Sequence, residues 1–179
     1  PLNYYAMTKL FGEQLCKQYK NVFGLNYNVL RFFTIYGDEQ PSDDNNGLMI
    51  SRFYRMANEN TPLTVHGDGE YRRDYIHVSD LAEIHYLCAK SLIKDNKSNI
   101  FNCGYGKGFS VKEVVKSLNG ILFYKIITEI GKKRPGDSKK VIANTNKLYK
   151  YFSWKPKYNN LKLILKSSLN WEKKIKNLL

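Results

Sequence analysis

The sequence predicts an α/β fold, and three observations carry that expectation. Residues 4–23 show helical spacing, with Tyr5, Thr8, Phe11, Leu15, Tyr19 and Val22 three or four positions apart. Residues 26–35, Asn-Tyr-Asn-Val-Leu-Arg-Phe-Phe-Thr-Ile, form a run suited to a buried strand. Beyond them, short apolar runs alternate with capped helical segments, the pattern of sheets covered by helices.

Gly24 closes the first helix. Tyr36-Gly37 then opens a loop, and residues 38–47 are polar and contain proline. Residues 48–59 read as a second helix, 63–66 as a short strand and Gly67-Asp68-Gly69 as a turn. Residues 74–78 read as extended, and Ser79 or Asp80 caps a helix running to Leu92. A strand over 100–103 leads into a loop at 104–108. Ser110 then opens a helix with Glu113 at its third position, a capping box. Residues 124–130 read as a strand, and 144–151 and 160–176 as helices. Neither a repeat nor a linker interrupts this order.

A chain of 179 residues can bury one real core. With 14 Tyr and 9 Phe it does not read as disordered. No apolar run approaches the ~20 residues of a membrane span, so no membrane partner is expected. No signal-peptide pattern is present, and a cytoplasmic protein is expected. The chain opens on Pro1 rather than Met, as a piece of a longer polypeptide would. Cys16, Cys88 and Cys103 are odd in number and far apart, so free thiols in a reducing compartment are expected.

The net charge of +13 is unevenly placed. Residues 1–106 hold 11 Lys/Arg and 12 Asp/Glu, whereas residues 107–179 hold 18 and 4. Most of these cations are lysines among aliphatic residues. They read as a solvated surface or a nucleotide-phosphate contact, and not as the Arg/aromatic stripe of a nucleic-acid binder.

Three motifs carry chemistry. In Tyr5-Ala6-Met7-Thr8-Lys9, the tyrosine and lysine share one helix face. An ammonium there stabilises a phenolate, which makes a proton-transfer device for a sugar or alcohol hydroxyl. Arg72-Arg73-Asp74-Tyr75-Ile76-His77 puts a basic pair at a strand entrance, and the arginine fork suits phosphate. Arg134-Pro135-Gly136-Asp137 is a second such turn, where Arg holds a diphosphate and Asp accepts from ribose hydroxyls. The loop Gly104-x-Gly106-x-Gly108 has Phe109 where a dinucleotide fingerprint needs glycine, so it reads as a tight strand-to-helix connection. His77 and His85 read as packed or surface residues, and no metal site is expected.

In sequence order, these pieces resemble the extended short-chain dehydrogenase/reductase family. They are most similar to its NAD-dependent sugar-nucleotide epimerases, and above all to the UDP-glucose 4-epimerase branch. The matching segments are PLNYYAMTKLFGEQL, LRFFTIYG, LTVHGDGEYRRDYIHVSDLAEIH, IFNCGYGKGFSVKEVV, RPGDSKKVIANTNK and FSWKPKYNNL…NWEKK. The resemblance runs from residue 1 to about residue 174. It implies the C-terminal part of a Rossmann-type α/β fold with a smaller mixed substrate-binding lobe. Residues 1–36 would end the NAD-binding domain, and 37–179 would form mainly the substrate lobe, with some segments returning to that domain.

The resemblance also implies roles. Tyr5 would be the base for the sugar 4-hydroxyl, and Lys9 would assist it and hydrogen-bond the nicotinamide ribose of NAD. Phe33 and the backbone near Ile35 would touch the nicotinamide end. Thr34 would meet the sugar diphosphate, and Leu48 and Met49 the nucleotide. Thr64 and His66 would flank the uracil. Arg73 and Arg134 would bind the diphosphate, and Asp137 the uridine ribose. The implied reaction interconverts UDP-glucose and UDP-galactose through transient oxidation at C4. Thr34 stands where glucose epimerases usually carry Asn, and LRFFTIYG looks more like the UDP-glucuronate epimerases. The family's glycine-rich NAD-binding half would precede residue 1 by ~145 residues. The chain alone is therefore expected to be inactive, and the full-length protein is expected to dimerise as many relatives do.

Overall fold

The structure is a computed structural model that describes residues 3–40, 49–59, 61–122, 125–133 and 136–176. Helix α1 (Tyr4–Phe23) starts on Asn3, whose side chain accepts from the Ala6 N–H, and ends at Gly24 in a left-handed turn, φ 70°. Strands β1 (Asn28–Phe32) and β2 (Thr34–Tyr36) follow, then α2 (Met49–Asn58), β3 (Leu63–His66), β4 (Arg72–His77) and α3 (Val78–Asp95). After them come β5 (Asn99–Cys103), β6 (Gly108–Ser110), α4 (Val111–Leu122), β7 (Thr128–Gly131), β8 (Lys140–Val141), α5 (Asn146–Phe152) and α6 (Leu161–Lys176).

The chain is α/β, with parallel pairing dominant. β1 runs parallel to β5, β3 parallel to β7, and β2 parallel to β4. β4 also takes β8 in parallel and β6 in antiparallel register. The core lies between β4 and helices α2, α4 and α6, where Ile50, Ile76, Val114, Leu118, Ile164 and Leu165 are fully buried.

Four expectations are corrected. The strand read over 26–35 is two strands in different sheets. It divides after Phe33: the Phe33 N–H still bonds the Cys103 carbonyl of β5 at 3.2 Å, and from Thr34 the chain pairs with β4 instead. It is not buried either, because Arg31 and Phe32 face solvent. The cap of α3 is neither Ser79 nor Asp80 but His77, whose Nδ1 accepts from the Ser79 N–H at 3.2 Å, and the helix runs on to Asp95. Of the strand read over 124–130, β7 covers Thr128–Gly131 and residues 125–127 are irregular, while Tyr124 lies outside the described residues; the short strands β6 and β8 exist only through their pairing with β4. The Ser110–Glu113 capping box forms in both directions, at 2.7 and 3.2 Å.

Helix α1 buries none of its residues. Tyr5, Phe11, Tyr19, Val22 and Phe23 are all more than half exposed. A bidentate Arg31–Glu13 pair, both contacts 2.7 Å, ties it to β1. That pair holds the Glu13 carboxyl below the usual carboxylate range.

Two buried carboxylates organise the rest. Asp74 is fully buried and accepts from the N–H groups of Tyr105 (2.9 Å), Gly106 (2.8 Å) and Ala143 (3.2 Å). Burial pushes its carboxyl up, while these donors and Lys107 N–H pull it back down. The glycines at 104 and 106 serve this contact. A Cβ on Gly104 would sit 2.7 Å from the Asp74 carboxylate, and Gly106 takes φ 73°. Asp80 accepts from the Tyr105 hydroxyl at 2.6 Å and from the N–H groups of Lys157 and Tyr158. Tyr105 in turn accepts from the His77 N–H at 3.1 Å.

All three cysteines are free, and burial pushes the Cys88 thiol to about 11 and the Cys103 thiol to about 12. No described helix is long and apolar enough to cross a membrane.

Asp74→Ala is expected to cost about 2 kcal/mol or more, because three N–H groups lose their acceptor, the buried ones of Tyr105 and Ala143 at about 1–3 kcal/mol each. A urea midpoint within error of the parent would refute this.

Candidate active site

A cavity of about 470 Å³ opens where β2, α2, β3 and β4 meet. Each wall comes from one element. β2 contributes Thr34 and Tyr36; α2 contributes Met49, Arg52, Phe53 and Met56; β3 contributes Leu63, Thr64 and His66. Tyr71, Arg73 and Tyr75 enter from β4 and its approach, with Val111 and Asp137 completing the rim. Strand alternation explains why Arg73 and Tyr75, two apart, face the same way. Helical spacing does the same for Met49, Arg52 and Met56.

The Tyr36 phenol is fixed by the backbone N–H groups of Ile50 and Met49, and burial raises it above the ordinary tyrosine value. Its ring meets Tyr75 at 5.3 Å, and burial raises that phenol too. Arg73 is aimed by its surroundings. Its Nη1 donates to the carbonyls of Arg72 (2.8 Å) and Ser138 (2.9 Å), and its Nη2 pairs with the Asp137 carboxylate. Thr64 donates to Glu129 at 2.7 Å, and His66 Nδ1 lies 3.0 Å from the Lys132 carbonyl. A space with aromatic and aliphatic walls, guanidinium groups and a few hydroxyls suits a flat, polar, anionic ligand.

Of the substrate-side residues expected from the sequence, Thr34, Met49, Thr64, His66, Arg73 and Asp137 all line this cavity. Leu48 and Arg134 lie outside the described residues. Tyr5, Lys9, Phe33 and Ile35 do not line it. Tyr5 is 71% exposed on α1, with the Lys9 ammonium 5.1 Å from its ring centre. Sequence reasoning missed Tyr36, Arg52, Tyr71 and Tyr75. Two signals were available: one helical turn from Met49 to Arg52, and the strand repeat from Arg73 to Tyr75. The loop at 104–108 is filled by the Asp74 carboxylate and offers no phosphate cradle. Among the described residues, no group of three or more His, Cys, Asp or Glu could hold a metal ion.

The model of the NAD dependent epimerase/dehydratase family matches residues 1–104. The chain belongs to this family. A UDP-glucose 4-epimerase of Halalkalibacterium halodurans is 35% identical over 186 residues, covering 97% of this chain and 55% of that protein. A UDP-glucuronate 4-epimerase of Thermodesulfobacterium geofontis is 30% identical over 174 residues, covering 97% and 51%. The UDP-glucuronic acid 4-epimerase of Bacillus cereus, solved with UDP-glucuronic acid and NAD, superposes with TM-score 0.87 at 27% identity, over 98% of this chain and 54% of that one. The family member thus has the α/β architecture of the extended short-chain dehydrogenase/reductase fold. It spans about half the length of the curated relatives it matches.

The cavity rim is tied to the core behind it. Tyr36 runs into Gly37-Asp38, and a Cβ on Gly37 would meet Val78 Cγ1 at 2.5 Å. Asp38 accepts from Ser167 Oγ at 3.0 Å, and His77 Nε2 lies 3.0 Å from the same hydroxyl. His77 Nδ1 already accepts from Ser79, so the neutral ring carries its proton on Nε2 and donates to Ser167. Burial lowers His77 below the usual histidine value of 6.5, against the pull of Asp38 and Asp80.

The sign of the resulting pH dependence follows. The unfolded chain takes up the His77 proton first as pH falls, so this share of stability is complete above about 6.5 and lost as pH drops through the lowered native value. His77→Gln is expected to flatten the acid-side loss in urea melts between about pH 8 and pH 5. Parallel curves for the two proteins would refute the assignment.

Proposed function

We propose that this chain is the substrate-binding part of a UDP-sugar 4-epimerase, with UDP-glucose and UDP-galactose as the pair interconverted. One observation carries the reading. Six residues scattered in sequence from 34 to 137, each expected to touch a UDP-sugar, line a single cavity. In this reading, Thr64 and His66 flank the uracil, Arg73 takes the diphosphate, Asp137 the ribose, Thr34 meets the sugar diphosphate and Met49 the nucleotide. Leu48 and Arg134 keep their sequence-based roles on the nucleotide and diphosphate. Thr34 makes UDP-glucuronate the alternative substrate, a reading supported by the UDP-glucuronate epimerase relatives.

The residues that could meet NAD fit one end of it only. Tyr5 and Lys9 stand on one open helix face, with Phe33 and Ile35 at the break between β1 and β2. When bound, NAD supplies a hydride acceptor and donor for the sugar C4. Tyr5 takes the 4-hydroxyl proton on its phenol oxygen and returns it when C4 is reduced again. Lys9 stabilises the phenolate and holds the nicotinamide ribose. In this reading the cofactor pyrophosphate is held by the family's glycine-rich NAD-binding half. Residues 1–36 then close the cofactor domain, 37–179 form mainly the substrate lobe, and this piece alone is inactive. The whole protein acts in the cytoplasm, with a homodimer as its assembly. The bareness of α1 favours a second reading, a remnant that binds nucleotide sugar without turning it over.

In the full-length protein, Tyr5→Phe is expected to lower kcat by about 10²–10⁴-fold, the usual worth of a positioned acid–base group. UDP affinity by calorimetry should stay as it was. Turnover at the parent rate would move the base elsewhere.

A further inference from the structure

We propose that Arg52 is a further diphosphate-binding residue of the cavity, acting from α2 beside Arg73 on β4 and the Arg134 expected from the sequence. The inference rests on the UDP-sugar reading above and assigns a residue that reading does not use.

Position comes first. The α2 wall is anchored at both ends. Near Met49, the backbone N–H groups of Met49 and Ile50 hold the Tyr36 phenol at the end of β2. Near Met56, its carbonyl accepts from the Thr61 N–H at 2.9 Å, just before β3. Thr34 on β2, proposed at the sugar diphosphate, and Thr64 on β3, proposed at the uracil, line the same cavity. Arg52 stands one turn from Met49 and one from Met56 and lines it too. A guanidinium on this wall faces the ligand space that Thr34 and Arg73 share.

Charge comes second. Arg73 is already paired with Asp137, so the pair brings no net charge to a dianionic linker. Arg52 is exposed, and it has neither a hydrogen bond nor an ion pair among the described residues. Its fork is therefore available, with five donors and a charge that no ordinary pH removes. A diphosphate held by Arg73 presents its second phosphate group to the α2 side, where a guanidinium forms charge-assisted hydrogen bonds.

The test is calorimetric binding of UDP, UMP and uridine to the full-length protein and its variants. Arg52→Gln is expected to weaken UDP by about tenfold or more, to change uridine less than about twofold, and to shrink the UDP-over-uridine preference accordingly. Its UDP affinity should also depend less steeply on salt. Arg52→Lys keeps the charge but loses the fork, and should recover part of the loss, which separates binding from misfolding. Equal weakening of all three ligands would assign Arg52 to structure and overturn the proposal. So would unchanged UDP affinity in Arg52→Gln alongside a loss in Arg73→Gln. If the parent binds UDP no better than uridine, the UDP-sugar reading falls and this inference with it.

Discussion

The Asp74 carboxylate is the contact on which the rest of the structure depends. It belongs to β4, yet its acceptor bonds hold the loop after β5 and the segment after β8. Three chain segments far apart in sequence are fixed to one anion without a cation beside it. The residues on either side of Asp74 are Arg73 and Tyr75, both in the cavity wall. A carboxylate that cannot move thus sets the depth at which a guanidinium and a phenol face the ligand space. Asp80 repeats the device one helical turn into α3, joining Tyr105 to the chain that leads into α6. Buried anions satisfied by backbone N–H groups are specific in a way that apolar packing is not, because a shifted register would strand both donor and acceptor.

The cavity divides its work between rigid and open groups. Tyr36, Tyr75 and Phe53 are buried and shape the walls. Arg73 is held by two carbonyls and a carboxylate, so its fork is fixed in the cavity wall. Arg52 lacks such a frame and keeps rotamer freedom until something anionic arrives. An oriented fork contributes direction, and a free one contributes charge. The basic half of the sequence adds little here, since its lysines stand mostly on solvated helix faces, and Lys112 and Lys157 are taken up by surface pairs with Glu70 and Glu83.

The elements legible in the sequence were those fixed by local chemistry. The end of α1 at Gly24 follows from a left-handed turn that glycine adopts freely, and the start of α4 from the reciprocal bonds of Ser110 and Glu113. What escaped was set at a distance. Nothing local marks Phe33 as a break, because the change of partner from β5 to β4 is made by strands more than forty residues away. β6 and β8 are too short for a period and owe their form to β4. His77 caps through a ring nitrogen, a role composition rules give to Ser, Asp, Asn and Thr. In the site, arginine and aspartate motifs were visible as residue types. The pairing of Arg73 with Asp137 needed three dimensions, whereas Arg52 stood one helical turn from Met49 and went unread.

The exposed α1 has a thermodynamic consequence. A helix of 20 residues with none of its residues buried, held to β1 by the Arg31–Glu13 pair, adds little to the cooperative unit formed by the core. Its persistence is governed by helix–coil balance, which for such lengths is marginal in water. The one-turn spacing of Tyr5 and Lys9 exists only while that helix is wound. Whatever packs against its bare face therefore does more than cover apolar surface. It couples docking to the winding of a helix, and so makes the Tyr5–Lys9 spacing depend on that contact.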